Sequence, residues 1–283
     1  MTADEILAKF NEFLEHLPYD RKPFSLYEPV KYVLSLGGKR IRPTLMLLAY
    51  NLYKDDPESI LMPACALETY HNYTLLHDDL MDNADLRRGH MTVHRRWDAN
   101  TAILSGDSML VLAYQRMAQC RRDKLADVLN LFTETALEIG EGQQYDMEFE
   151  QRNDVTEAEY IEMIRLKTSV LLATYGDPAV FGKAIGGDIL AGKKTFMLIN
   201  ALAHANDSQR KELEQWLAIN DRPKEKIEAV TRLYNEIGID RMATEKIAFY
   251  FTESHRYLEA VNVDESRKIE LRHYAERMMK RQY

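Results

Sequence analysis

Aspartates and arginines are concentrated in one short stretch of this chain. Residues 78–82 read DDLMD and residues 85–89 read DLRRG. In a helix, Asp78 and Asp82 are four residues apart and share one face. Two carboxylates on one face suit a hard cation such as Mg²⁺, which completes its shell with phosphate oxygens. The stretch indicates a metal-bridged diphosphate site, with a solvated charged surface as the alternative.

The residues before these aspartates must position them. Residues 67–77 are largely apolar and carry few charges. We therefore predict a mostly buried helix from about Pro63 to Met81, roughly 28 Å long, that delivers its aspartates to a cleft. The C-terminus of such a helix carries partial negative charge, which a bound cation would offset.

A second basic element, GGKRIRP, occupies residues 37–43. Its glycine pair follows an apolar run and predicts the end of a helix, and Pro43 predicts the first turn of the next one. Lys39 and Arg42 are then expected on a short connection near a helix N-terminus, a place that attracts anions. Taken alone, a structural turn with solvated basic side chains is the alternative.

The composition favours one large helical core. The chain has 283 residues, 46% of them hydrophobic, with only 12 Gly and 8 Pro. Helical periodicity runs from end to end, with capping boxes at Thr2 and Thr156 and a tail of three helices broken near Gly238 and Asn262. We predict an all-α fold, a single domain over residues 1–283 with ten or more helices.

The net charge and the cysteine content limit the cellular compartments and binding partners that we expect for this protein. The net charge of −8 gives no support to nucleic-acid binding. Two cysteines in apolar helical contexts suggest buried, reduced thiols. The charged N-terminus is unlike a signal peptide, and no apolar run approaches the ~18 residues of a membrane span. We expect a cytoplasmic protein that is not inserted in a membrane.

Together, these motifs resemble those of the trans-isoprenyl diphosphate synthases, also called polyprenyl synthetases. The resemblance covers nearly the whole chain, and the combination is much more specific than the aspartate motif alone. The matching segments are GGKRIRP at 37–43, HDDLMD at 77–82, RRG at 87–89, GDSML at 106–110, GQQYD at 142–146, KT at 167–168, GK at 182–183, GDI at 187–189 and GKKT at 192–195.

The resemblance implies a fold, a reaction and partners. The fold is the isoprenoid synthase fold, mostly antiparallel helices around a central cavity, usually in a homodimer. The reaction is the condensation of isopentenyl diphosphate with an allylic diphosphate to a short-chain isoprenyl diphosphate. It depends on Mg²⁺, with more than one ion expected when diphosphate is bound, because the metal neutralises charge on the leaving diphosphate.

The resemblance also implies roles for individual residues. Asp78 and Asp82 hold the metal, while Asp79 orients or hydrogen-bonds. The catalytic set is Asp78, Asp79, Asp82, Arg87, Lys167 and Lys193. The isopentenyl diphosphate pocket is formed by Lys39, Arg42, His71 and Arg88. The remaining substrate-binding candidates, for the allylic diphosphate, are Arg87, Lys167, Thr168, Lys183 and Lys193.

Product length should depend on residues one to two turns before Asp78. Tyr73 is large and Thr74 is small, a pattern that resembles geranylgeranyl-type synthases, with farnesyl diphosphate as the nearest rival product. Tyr70 would provide a lower stop to the growing chain. The alternative is that Tyr73 packs into a neighbouring helix or a dimer interface.

One departure from the family pattern leaves two other functions open. The family carries a second aspartate-rich motif where this chain runs from Ala173 directly into Thr174. About 40 residues, the length of two to three helices, are missing there, and we expect the full protein to contain them. A true deletion would favour a non-catalytic partner subunit. The other alternative, a class I terpene cyclase, needs no second diphosphate pocket, so GGKRIRP and Arg88 argue against it.

Overall fold

The structure, a computed structural model, describes residues 1–169, 187–190 and 192–280. In these ranges the chain is almost entirely helical, and the strands it contains form a single two-stranded hairpin. The predicted all-α fold with ten or more helices is confirmed.

The helices of the described ranges are numbered in chain order. They are α1 (Ala3–Glu15), α2 (Phe24–Ser35), α3 (Ile41–Asn51), α4 (Leu61–Met81), α5 (Val93–Arg96), α6 (Ala99–Met117), α7 (Leu125–Glu150), α8 (Glu157–Ile164), α9 (Gly187–Leu190), α10 (Phe196–His204), α11 (Asp207–Ala218), α12 (Pro223–Ile237), α13 (Ile239–Ala260) and α14 (Glu265–Lys280). Strands β1 (Leu86–Arg87) and β2 (His90–Met91) pair antiparallel. Short 3-10 turns occupy Pro57–Ile60 and Arg122–Lys124, and a π-helical turn occupies Arg165–Ser169.

Local sequence signals explain many of these boundaries. Capping boxes at Thr2 and Thr156 open α1 and α8, as predicted. Gly238, with φ of 85°, separates α12 from α13, and the break near Asn262 separates α13 from α14. The side-chain and backbone groups of these caps satisfy amides that a helix end leaves unpaired.

The residues divide into two compact units. The first unit comprises Met1–Glu134 and Val263–Ala275, and the second comprises Thr135–Asn262 and the residues from Glu276 onward. The expectation of a single domain over residues 1–283 stays a prediction.

Helix α4 is the central element of the first unit. It begins at Leu61, close to the predicted start, and ends at Met81. Every residue from Pro63 to Tyr70 is buried, and the helix packs most extensively against α6. The predicted buried helix is therefore confirmed, and its burial fixes where the aspartates at its C-terminus lie.

In the second unit, the C-terminal half of α7 packs against the π-helical turn. A Cβ atom on Gly142 would overlap the backbone nitrogen of Lys167 and lie 2.6 Å from its Cα atom. The glycine therefore lets the two backbones approach each other. Helices α10–α13 of this unit share an apolar core that includes Leu198, Leu213 and Val230.

Within the described ranges, no helix combines the length and the apolar character needed to cross a membrane.

We expect Gly142→Ala to lower the free energy of unfolding by about 1–3 kcal/mol, because the new methyl group overlaps backbone atoms that cannot rotate away. Gly140→Ala is the matched control in the same helix, since a Cβ there has nothing within 4 Å. That change should raise the free energy of unfolding by roughly 0.5–1 kcal/mol. Urea unfolding measures both, and equal effects would contradict the close approach.

Candidate active site

Of the three aspartates at the end of α4, Asp78 and Asp82 lie on one face of the helix, and Asp79 lies on another. Asp78 is half-buried, and Asp82, the C-cap residue, is exposed. The backbone N–H of Asp82 donates to the carbonyl of Asp78 at 2.8 Å, so helical geometry continues through this turn. The two predicted metal ligands therefore share a face. Asp79 is only 5% exposed.

Asp79 forms a two-pronged salt bridge with Arg87 of β1. Nε of Arg87 donates to Oδ1 and Oδ2 at 2.8 and 2.9 Å, and Nη2 donates to Oδ1 at 2.5 Å. Burial raises the pKa of the Asp79 carboxyl, although Arg87 opposes this shift. Asp79 thus hydrogen-bonds a basic side chain that the sequence assigns to diphosphate binding.

The RRG sequence forms the turn of the hairpin. Arg88 and Gly89 both have positive φ, 53° and 78°, as the two central residues of a type I′ turn require. The turn directs the Arg88 guanidinium onto the glycine pair of the upstream loop, where it donates to the carbonyl of Gly37. A Cβ on Gly38 would lie 2.8 Å from Cζ of Arg88. The two basic elements predicted separately are therefore in contact.

His71 lies among arginines. Burial is the main cause that lowers the pKa of His71 well below its usual value. The positive charges of Arg42, Arg88, Arg87 and Arg40 lower this pKa further. The histidine is therefore neutral at pH 7. Its surroundings repel additional positive charge and favour an anion.

Arg42 is buried without full compensation of its charge. It is 9% exposed, and its Nε atom has no hydrogen-bond partner among the described residues. Burial lowers the pKa of Arg42 to about 10, with Glu68 opposing the shift. Lys39, the other basic residue predicted on this loop, is exposed. A buried, partly unpaired guanidinium beside an exposed ammonium is suited to binding a diphosphate.

The sequence reasoning missed a buried network beneath this loop. Arg40 adopts a left-handed conformation, with φ of 48°, and its guanidinium donates to Glu68 Oε1 at 2.6 Å and to the carbonyl of Leu34 at 2.7 Å. Asn72 donates to the same Glu68 oxygen at 2.9 Å. The available signal was Glu68 itself, a charged residue that follows the apolar run 61–67 and requires a partner when buried.

The second unit brings together two predicted lysines. Nζ of Lys167, in the π-helical turn, donates to Oδ2 of Asp146 at 2.6 Å, and Nζ of Lys193 donates to the same oxygen at 3.1 Å. Burial opposes ionisation of Asp146, but the two lysines outweigh it and hold the pKa of this carboxyl below its usual value. Thr168 is half-buried beside Lys167.

Two predictions fall outside the described residues. They are the assignment of Lys183 to diphosphate binding and the expected break between Ala173 and Thr174.

Of the three residues assigned to product length, Tyr70 and Tyr73 belong to an aromatic cluster in the first unit, and Thr74 follows Tyr73 in the sequence. The Tyr70 ring is 5.4 Å from both Tyr73 and Phe132 of α7, measured between ring centroids. Tyr73 also contacts His77 at 4.8 Å and packs on the buried apolar cluster of this unit. Thr74 donates to the carbonyl of His71 at 2.8 Å.

The described side chains fit a Mg²⁺ ion bound mainly through its substrate. No group of three or more histidine, cysteine or acidic side chains within the described ranges could hold a metal ion. Asp78 and Asp82 are two hard oxygen donors at an accessible helix end. Mg²⁺ commonly binds proteins through one or two carboxylates and takes its other ligands from phosphate and water.

We expect the lowered pKa of His71 to make stability depend on pH. Below about pH 6.5 the unfolded chain protonates this histidine and the folded chain does not, so the free energy of unfolding falls as the pH decreases. His71→Gln should reduce that slope by up to about 1.4 kcal/mol per pH unit between roughly pH 6.5 and 5. Urea unfolding at several pH values measures the slope, and identical slopes would contradict the lowered pKa.

Comparisons with known proteins identify the family of this chain. The family model described as polyprenyl synthetase matches residues 24–174 and 171–237. A short chain isoprenyl diphosphate synthase from Methanocaldococcus jannaschii is 37% identical over 248 residues, covering 74% of this chain and 75% of that protein. A geranylfarnesyl diphosphate synthase from Natronomonas pharaonis is 31% identical over 326 aligned positions, covering 95% and 93%.

The fold also has close counterparts among solved structures. A crystal structure of a geranylgeranyl pyrophosphate synthase matches with a TM-score of 0.91 and 34% identity, covering 100% of both chains. The resemblance drawn from the motifs is confirmed, and so is the isoprenoid synthase fold. The chain belongs to the polyprenyl synthetase family of prenyltransferases.

Proposed function

We propose that this prenyltransferase uses Mg²⁺ to condense isopentenyl diphosphate with an allylic diphosphate into a short-chain isoprenyl diphosphate. The observation that carries this proposal is the set of arginines around His71. His71 lies on α4, the helix that carries Asp78 and ends at its C-cap residue Asp82. The basic pocket would bind one diphosphate, and the metal held at the helix end would bind the other. The names of the relatives, short-chain isoprenyl and geranylfarnesyl diphosphate synthases, support the same reaction.

The test is the reaction itself. The purified protein is incubated with Mg²⁺, isopentenyl diphosphate and an allylic diphosphate, and the dephosphorylated products are separated by chain length. We expect elongated products only when both diphosphates and the metal are present. Consumption of the allylic diphosphate alone would indicate a terpene cyclase instead, and no turnover without a second protein would indicate a partner subunit.

Asp78 and Asp82 are the proposed metal ligands, and more than one ion is expected with diphosphate bound. When bound, the metal would neutralise negative charge on the leaving diphosphate. Asp79 would then act on Arg87, its salt-bridge partner, and keep that guanidinium oriented toward the substrate.

The basic residues divide into two proposed groups. Lys39, Arg42, His71 and Arg88 bind isopentenyl diphosphate, and neutral His71 donates one N–H to it. Arg87, Lys167, Thr168, Lys183 and Lys193 bind the allylic diphosphate through charge-assisted hydrogen bonds, which strengthen as charge develops on the leaving group. Apolar walls keep water from the allylic cation, and the proton lost at the end passes to the departing pyrophosphate, so no side-chain base is assigned.

We propose that the protein works as a cytoplasmic homodimer and has no nucleic-acid partner. Helix α6 exposes Leu104 and Val111, which are 59% and 67% exposed and one heptad apart, and α7 exposes Leu131. A second copy covering these side chains would remove apolar surface from water.

We also propose that the full protein contains the second aspartate-rich motif. The family model matches in two pieces that meet at residues 171–174. The alignment with the Natronomonas protein spans 326 positions, more than the 283 residues of this chain, although it uses 95% of them. An intact mass of the protein from its own cells decides this, and a mass matching the present sequence would favour the partner subunit.

We expect Asp82→Ala to remove most turnover, because one carboxylate then remains on the metal-binding face. Arg88→Ala should instead mainly raise the concentration of isopentenyl diphosphate needed for half-maximal rate. Steady-state kinetics with each diphosphate varied in turn separates the two effects. Equal effects of each variant on both substrates would reject two separate pockets.

We expect Tyr73→Ala to lengthen the products, because it removes the first aromatic ring below the aspartates. The wild-type product should be of the geranylgeranyl type, with farnesyl diphosphate as the rival, and Tyr70 should set a lower limit in the variant. Chromatography of dephosphorylated products measures the change. Unchanged chain lengths at retained activity would place the limiting residue elsewhere.

A further inference from the structure

Asp146 connects two lysines in the second unit through a single oxygen atom. Oδ2 accepts from Lys167 Nζ at 2.6 Å and from Lys193 Nζ at 3.1 Å. The Asp146 side chain is 10% exposed, and the lysine side chains are 21% and 30% exposed. The carboxylate is therefore largely shielded, while both lysine side chains are partly exposed to solvent.

The shared oxygen fixes the spacing of the two ammonium groups. Two like charges this close repel each other, and a carboxylate between them offsets that repulsion. Since Asp146 lies on α7 and the lysines lie on two other segments, the carboxylate determines where both ammonium groups are held. The three side chains together retain one net positive charge.

The backbone supports the same arrangement. Gly142, one helical turn before Asp146, admits the backbone of Lys167 against α7. Lys193 lies two residues before Thr195, whose hydroxyl caps α10 by accepting from the N–H of Leu198. Both lysines therefore extend from constrained backbone positions, and their ammonium groups meet at Asp146.

We propose that Asp146 is a positioning residue for prenyl transfer, an inference that rests on the proposed function. It sets the spacing at which Lys167 and Lys193 bind one diphosphate as that group departs. Its negative charge also weakens binding of the diphosphate before the reaction. Interactions that strengthen only as the leaving group gains charge raise kcat, whereas equally strong ground-state binding does not.

The test variant is Asp146→Asn, which preserves size and removes the charge. We expect kcat to fall roughly 10–100-fold, because misplaced groups lose the productive geometry. The KM for the allylic diphosphate and the Kd for inorganic pyrophosphate, measured by calorimetry with Mg²⁺, should stay equal or decrease. Asp146→Glu, which restores the carboxylate on a longer stem, should recover part of the lost kcat.

Glu157→Gln is the matched control in the same unit. It removes the carboxylate from a salt bridge of equal length, 2.6 Å between Lys246 Nζ and Glu157 Oε1. We expect it to leave kcat and pyrophosphate binding unchanged.

Two results for Asp146→Asn would overturn the proposal. Unchanged kcat would show that the carboxylate does not position the lysines, and a raised KM and a raised Kd would show that it supports binding instead. Failure of the proposed function is distinguishable, because it would leave the wild-type protein without product. The pyrophosphate titration would then decide alone, with weaker binding to the variant counting against the proposal.

Discussion

The first unit is organised around more buried positive charge than its carboxylates neutralise. Glu68 pairs with Arg40, and Asp79 pairs with Arg87. Among the described residues no carboxylate forms a salt bridge with Arg42 or Arg88. Arg88 is exposed, but Arg42 is buried, and burying an unpaired charge is costly. An anion bound beside Arg42 would offset that cost, as the proposed site for isopentenyl diphosphate requires.

The surrounding elements serve to maintain this arrangement. Helix α4 is buried along most of its length and holds Glu68, His71 and Asp79 at fixed intervals. The type I′ turn directs Arg88 toward Gly37. The left-handed Arg40 is the N-cap of α3, and Arg42 lies in the first turn of that helix rather than on the preceding connection. The second unit uses the same principle with one carboxylate and two lysines. In both units, a carboxylate holds basic side chains in place without cancelling their total charge.

Much of the fold was predictable because its signals are local. A capping box needs only residues three apart, as at Thr2 and Thr156, and Gly238 ends a helix through its own backbone. The buried character of α4 follows from its composition. The site motifs were also recognisable, since each lies within a few residues of sequence. Their association with known synthases gave roles that composition alone does not provide.

The pairing of side chains was not predictable in the same way. Arg40 and Glu68 are 28 residues apart, and Asp146 and Lys193 are 47 apart. Which basic residue a carboxylate selects depends on how distant segments pack. For Tyr73, the bulky side chain suggested a limit to chain growth, but its contacts with Tyr70 and His77 depend on rotamers and on neighbouring helices.

The central proposal is that Arg42 and Arg88, with Lys39 and His71, form a site that binds isopentenyl diphosphate without the allylic substrate. The most direct measurement is thermal unfolding with increasing isopentenyl diphosphate and no allylic diphosphate, compared with sodium chloride at equal ionic strength. A ligand that binds only the folded state stabilises it in proportion to the logarithm of its concentration above Kd. We expect the unfolding midpoint to rise in this way with the diphosphate and not with the salt. A midpoint that responds equally to both would contradict a preorganised diphosphate site.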